Sequence, residues 1–255
     1  MPLELLEKLY TTRNLRRRLG SRAERDFLEL GAFNISGLED DFQGDTIDGN
    51  RYQSTASGAA AAAAAVSTGV VNGAILLDAG TDDNGRCDLS VGLHYQAQLN
   101  PIYIARFKVP VITTRKFEVG FTDVISGTDA GGVNVKATPT FNATDGVFLV
   151  FDTDDDAVLT LAGVKAGTAA TVADFATALV ADTYYYFGVA LFGDDNAKGF
   201  LLDANGYFLE EETIEDAVTA DTLLTPWLFI QNRAANAGSM TVDWHRAYQR
   251  RTQIA

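Results

Sequence analysis

Three aspartates at alternate positions, Asp152, Asp154 and Asp156, form the densest set of possible metal ligands in the sequence. Oxygens at every second residue open a helix-loop-helix calcium loop, which also needs a glycine at its sixth position and a bidentate glutamate at its twelfth. Counted from Asp152, Ala157 and Gly163 stand there instead. The charged tip of a hairpin is the simpler reading, and the three aspartates stay weak calcium candidates; Asp82, Asp83 and Asp88 around Cys87 are weaker still. His94 and His245 are the only histidines and Cys87 the only cysteine. The chain therefore lacks the side chains for a three-histidine zinc site, a thiolate cage or an internal disulfide. No G-x-S-x-G elbow, phosphate loop or dinucleotide fingerprint occurs. An enzyme reading has no nucleophile to name, and no cofactor is expected.

Aromatic rings offer a different chemistry. Tyr184, Tyr185, Tyr186 and Trp227 have rings that can stack on the apolar faces of sugars, with Tyr185 and Trp227 the foremost candidates. The same rings suit a core equally well, because the run from Tyr184 to Phe192 is apolar at both alternating sets of positions.

The elements that must place these groups read mostly as β-structure. Tyr184 to Phe192, the turn residues Gly193 to Asn196, and Lys198 to Asp203 read as a hairpin in mid-sheet, covered on both sides. Ala74 to Asp78, Cys87 to Leu93, Ile102 to Val109 and Lys116 to Phe121 read as strands. In the third, Arg106 and Lys108 oppose Tyr103, Ala105, Phe107 and Val109; in the fourth, Lys116 and Glu118 oppose Phe117, Val119 and Phe121, so both are expected to be half-buried. Gly146 to Phe151 and Ala157 to Leu161 bracket the acidic turn as a second hairpin. Met240 to Tyr248 closes the pattern, with Met240, Val242 and Trp244 expected on one side. The alanine run Ala59 to Ala65 is left open between helix and closely packed strand, Thr171 to Val180 between helix and extended chain, and Glu210 to Glu212 reads as an exposed acidic loop.

The first segment differs in kind. Leu15, Leu19, Ala23 and Phe27 recur every fourth residue, and Arg16, Arg17, Arg18, Arg22 and Arg25 gather toward a helical C-terminus, so residues 1–31 read as a basic amphipathic helical arm. Residues 1–25 carry +4 while the remainder of the 255-residue chain carries −18, for a net charge of −14. An acidic body repels nucleic acid and anionic lipid, so neither is expected as a partner. No apolar run approaches the length of a membrane-spanning helix. The opening residues lack the pattern of a secretory signal, and a lone cysteine fits synthesis in a reducing compartment.

Several phrases, taken in order, resemble the concanavalin A-like lectin/glucanase sandwich, especially its versions in bacteriophage virion proteins. They are Asp41-Phe42-Gln43-Gly44 with Ile47-Asp48, IYIARFKVP followed by KFEVGFTDV, TYYYFGVALFGDDNAKGFLLDANG, LTPWLFIQN and MTVDWHRAY. Tyr52 stands where relatives often have tryptophan. The resemblance implies an all-β fold over residues 40–250: an antiparallel jelly-roll sandwich whose last strand pairs near the first, with the 184–203 hairpin in a central concave sheet. Glycan-cleaving members carry E-x-D-x-E on one strand, which supplies the two carboxylates of glycoside hydrolysis, and this chain has no such motif. The resemblance therefore implies a non-enzymatic virion protein, a capsid decoration or cement protein made in the host cytoplasm. Its arm would dock on the major capsid protein or other virion subunits through Arg13, Arg16, Arg17, Arg18 and Arg22 with Leu15, Leu19 and Phe27. A homo-oligomer, a trimer by analogy, suits that role. The alternative is a carbohydrate-binding module of a phage tail or surface protein, using Tyr185 and Trp227.

Overall fold

The computed structural model describes residues 35–124, 131–193 and 195–250. The expected arm, with Arg13, Leu15, Arg16, Arg17, Arg18, Leu19, Arg22 and Phe27, lies outside the described residues. The described residues form two antiparallel sheets face to face. Sheet I runs β16 (Phe208–Ile214), β15 (Ala197–Leu202), β14 (Tyr185–Leu191), β6 (Ile102–Lys108), β18 (Gly238–Arg250), β4 (Ile75–Gly80) and β3 (Ala62–Val66), with β1 (Ile35–Asp40) also paired to β18. Sheet II runs β12 (Thr168–Ala169), β11 (Asp156–Lys165), β10 (Gly146–Asp152), β7 (Arg115–Thr122), β17 (Thr225–Asn232), β5 (Arg86–Ser90) and β2 (Ala56–Ser57), with β13 (Ala173–Asp174) also paired to β11. A short ribbon, β8 (Val133–Val135) and β9 (Thr140–Phe141), stands apart. The expected antiparallel sandwich, with its last strand beside its first, is what forms.

Between the sheets lies one core, built from the alternate residue of each facing strand. At its centre the Phe107 and Phe187 rings stack at 4.2 Å from sheet I while Phe117 and Phe151 stack at 5.2 Å from sheet II. Phe117 meets both Phe107 and Phe187 edge-on. Such pairs contribute about 1 kcal/mol each beyond the area they bury. Cys87 is a buried free thiol in this core.

The outer faces of the sheets differ. Residues 131–143 fold over sheet II, and Val133, Ala143, Phe148, Val150, Ala162, Val164, Trp227 and Phe229 pack there as a second apolar cluster. Every residue of β7 is consequently buried, Lys116 and Glu118 included. This corrects the expectation of a half-buried strand. Glu118 replaces the lost water with four partners: the N–H groups of Gly132 and Val133 at 2.7 and 3.1 Å, the Trp227 indole N–H at 3.0 Å and the Lys116 ammonium at 3.0 Å. Lys116 in turn donates to the Val133 carbonyl.

The hairpin β14–β15 forms in mid-sheet as read, with its inner side buried throughout and its outer side divided: Gly188, Ala190 and Phe200 are buried there, while Tyr184, Tyr186 and Phe192 are half-buried. Glu210, Glu211 and Glu212 lie in the edge strand β16 and not in a loop. Glu210 accepts from the N–H groups of Ala176 and Thr177 at 2.7 and 2.8 Å, and Lys198 pairs with Glu211 at 2.6 Å, so the carboxylates are held along the strand. The alanine run divides: Ala59 and Ala60 turn, with Ala60 at φ 59°, and Ala62 to Ala65 lie in β3, whose pairing with β4 overrides helical propensity. Residues 171–180 are extended or irregular, touching β11 through β13 and seating Phe175 in the core.

A β-bulge in β18 between Val242 and Trp244 has the largest consequence for function. The extra residue shifts the alternation by one. Met240 and Val242 face the core, and beyond the bulge His245 and Ala247 do. Asp243 and Trp244, adjacent in sequence, both project outward. The sequence reading placed Trp244 with Met240 and Val242; the bulge reverses it.

Candidate functional site

Directly opposed residues on neighbouring strands share a face, so the register maps the outer side of sheet I row by row. One row crosses five strands: Phe208 on β16, Leu202, Tyr186, Arg106 and Trp244 on β18. A second runs Glu211, Phe200, Gly188, Ile104, Arg246 and Glu39, and a third Lys198, Ala190, Ile102 and Tyr248. Ile102, Ala190 and Phe200 pack together as a thin apolar layer, flanked by Ile104, Phe192 and Leu202. Gly188 makes room for it: any Cβ there would run into the Phe200 ring. Among the described residues no segment covers this face as residues 131–143 cover the other sheet. Tyr184, Tyr186, Trp244 and Tyr248 remain half-exposed on it.

Arg106 is the hub. Its guanidinium lies 4.2 Å from the centre of the Tyr184 ring and 5.6 Å from that of Tyr186, and donates to Asp243 at 2.5 Å. Tyr186 and Trp244 meet edge to face, centroids 6.2 Å apart. Partial burial raises the Tyr184 phenol, with the Lys108 charge opposing. The Trp244 indole N–H reaches Glu39 at 3.4 Å; Glu39 also receives the Tyr248 hydroxyl at 3.4 Å and forms an ion pair with Arg246, whose Nε lies 3.3 Å away. Lys108 is bonded to Asp182 at 2.5 Å. The result is a shallow surface of aromatic rings held upright by cation–π contacts and bordered by ion pairs. It can stack on apolar ring faces and exchange hydrogen bonds with hydroxyl groups.

The two foremost aromatic candidates are not on this surface. Tyr185 is 8% exposed and points into the core between the sheets, because its two neighbours take the outer side of β14. Trp227 is 1% exposed beneath residues 131–143. Neither presents a ring face to a ligand. The tyrosine triplet thus divides by strand alternation, with Tyr184 and Tyr186 joining the site. Trp244 could not be found from periodicity, since the bulge conceals its phase; the alternation of Arg106 and Lys108 on β6 was the legible signal for the rest.

The aspartate candidates are engaged by cations of the protein. Asp152 is buried and takes both Nε, at 2.8 Å, and Nη2 of Arg233, with Arg233 also 3.5 Å from Asp154. Asp156 is paired with Lys136, which also lies 3.8 Å from Asp155. The weak calcium reading of Asp152, Asp154 and Asp156 gives way to this arrangement, which closes the β10–β11 turn onto the 232–238 turn. Among the described residues, no group of three His, Cys, Asp or Glu side chains is arranged to hold a metal ion. A hollow of about 500 Å3 lies between residues 42–45 and 66–73, lined by Gln43, Asp45, Ser67, Thr68 and Asn72 over buried Phe42.

No protein-family model matches the sequence, and no curated protein matches it. Solved structures do. A protein of unknown function from Shewanella oneidensis MR-1 superposes with a TM-score of 0.61 at 17% identity, over 92% of this chain and 98% of the other. Peanut lectin superposes at 0.58 and 10% identity, over 86% and 99% of the two chains. The carbohydrate recognition domain of Emp47p superposes at 0.56 and 14% identity, over 85% and 97%. At these identities the likeness establishes the fold: a concanavalin A-like, lectin-type β-sandwich.

Proposed function

We propose that the chain is a non-catalytic carbohydrate-binding module whose contact surface is the open face of sheet I. The observation that carries this reading is the grouping of Tyr184, Tyr186 and Trp244 around Arg106 on a face left uncovered among the described residues. Likeness in fold to peanut lectin and to the Emp47p carbohydrate recognition domain supports it. A binding role and not a hydrolytic one follows from the carboxylates: Asp243, Glu39, Asp182 and Glu211 are each held by a cation, and the sequence lacks E-x-D-x-E.

The test is glycan-array binding by the full chain beside Trp244→Ala and Tyr186→Ala. Saturable binding by the wild type that falls at least about tenfold in either variant supports the site. A wild type that binds no glycan, or a double variant that binds as well as wild type, removes it.

The capsid decoration role, with a trimer docked on virion subunits, is a second reading that concerns where such a module is mounted. It is favoured by the charge division of the sequence, +4 in residues 1–25 against −18 in the remainder. Deleting residues 1–30 tests it: truncated protein that decorates particles as well as the full chain would defeat docking through the arm.

A further inference from the structure

We infer that the ligand of the open face is a neutral, extended sugar chain lying across the strands, and not an acidic polysaccharide or a single terminal sugar. This rests on the carbohydrate-binding reading and specifies it.

The charge of the face argues first. The four cationic side chains beside the ring row, Arg106, Lys108, Lys198 and Arg246, are each matched by a carboxylate of the same chain, Asp243 at 2.5 Å, Asp182 at 2.5 Å, Glu211 at 2.6 Å and Glu39 at 3.3 Å, and the remaining outward cation of β18, Arg250, stands apart at the end of the strand. An anionic glycan would have to displace one of these carboxylates or approach it with like charge, on a chain already carrying −14. A neutral sugar has no such cost, because hydroxyl groups both donate and accept and can bond an ion pair without separating it.

The layout of the rings argues second. The row from Phe208 to Trp244 runs perpendicular to the strands over four inter-strand spacings, about 19 Å, room for about four pyranose rings end to end. Phe208 is 56% exposed at one end, Tyr186 stands in mid-row, and Trp244 closes the other end. The Tyr186 and Trp244 rings lean together across Arg106 to 6.2 Å, close to the length of one sugar ring. Beside the row lie the Lys198–Glu211 and Arg246–Glu39 pairs on one flank and Lys108–Asp182 on the other. A pyranose carries apolar C–H faces and a rim of hydroxyls. Laid along the row, such a chain would set its faces on the rings and its rims toward the flanking pairs.

The experiment is calorimetric titration of the full chain with neutral linear oligosaccharides of increasing length, and affinity electrophoresis in neutral, uronate and sulfated polysaccharides at about 0.05 M and about 0.5 M NaCl. The expected result is affinity that rises at least about tenfold from disaccharide to tetrasaccharide, prefers the neutral polymer and is unchanged by salt. Phe208→Ala should lower tetrasaccharide affinity by about fivefold or more and leave the disaccharide unaffected. Because Phe208 is exposed, the variant folds. Binding that favours the anionic polymers and weakens with salt, or a disaccharide that binds as tightly as the tetrasaccharide, overturns this inference while leaving carbohydrate binding in place. Absence of binding to every glycan overturns both.

Discussion

The Nε2 of His245 stands 2.9 Å from the hydroxyl oxygen of Tyr52, inside the sandwich. Tyr52 gives its own proton to Asp40 at 2.8 Å, so its oxygen can only accept from the imidazole. Nε2 therefore carries the hydrogen, and Nδ1 accepts from the Tyr103 hydroxyl at 3.2 Å. The chain of bonds ties β1 and the 41–52 segment to β18 and β6, with the Phe42 ring 5.1 Å from the imidazole. Burial pushes His245 down to about 4, the nearby Asp40 charge only partly offsetting it. The unfolded chain then takes up a proton near pH 6.5 that the folded chain refuses until about pH 4. Stability is full above pH 6.5, is lost as pH falls through that window by up to about 3 kcal/mol, and levels off below it. Urea unfolding at stepped pH should show this slope, and His245→Gln should flatten it. A slope that persists in the variant would assign the effect to other groups.

How much of this was legible in the sequence depends on how far apart the deciding contacts lie. The 184–203 hairpin and the DTDDD turn were readable because alternation and turn residues sit within a few positions of each other. The inward place of Cys87 followed from residue type. Trp227 was not readable, since its burial depends on residues 131–143 crossing from another part of the chain. Trp244 was misplaced for a subtler reason: a single extra residue reverses the phase of everything beyond it, and no composition marks the bulge. Arg106 and Lys108 were correctly read as facing away from the core, yet their partners Asp243 and Asp182 come from remote strands and loops.

Glu118→Ala should be among the most destabilising changes on sheet II. It leaves the buried Lys116 ammonium without its carboxylate and the N–H groups of Gly132, Val133 and Trp227 without an acceptor. Removing one partner of a buried pair costs about 3–5 kcal/mol, whereas replacing both with apolar groups is often nearly neutral. The double change Lys116→Met with Glu118→Leu should therefore recover part of the loss. Equal stability of the single and wild-type proteins by urea unfolding would mean that residues 131–133 are not held by this pair.

Calcium should leave the thermal midpoint unchanged, as should chelation, because Arg233 and Lys136 occupy the carboxylates a cation would need. Removing that guanidinium is different. Arg233→Gln strands the buried Asp152 carboxylate and should cost about 3 kcal/mol. Differential scanning calorimetry in calcium and in chelator decides the first point; a midpoint that climbs with calcium would restore the metal reading.

The bulge of β18 separates what the open face needs from what the fold needs. Trp244 is half-exposed and its indole N–H makes one long bond to Glu39, so Trp244→Ala removes little core area and should cost within about 1 kcal/mol. Deleting Asp243 keeps the same faces. Val242 still points into the core, and because Val242 and Trp244 oppose the consecutive residues Phe107 and Arg106, the strand beyond the deletion resumes plain alternation with Trp244 outward and His245 and Ala247 inward. The bonds of His245 to Tyr52 and Tyr103 survive. What is lost is the carboxylate that Arg106 holds on the outer face and the local twist of the bulge, so the deletion should cost about 1–2 kcal/mol and weaken ligand binding at the rings that Arg106 supports. Urea unfolding should place the deletion and Trp244→Ala within about 2 kcal/mol of each other. A deletion variant that fails to fold would show that the bulge itself is required by the sandwich.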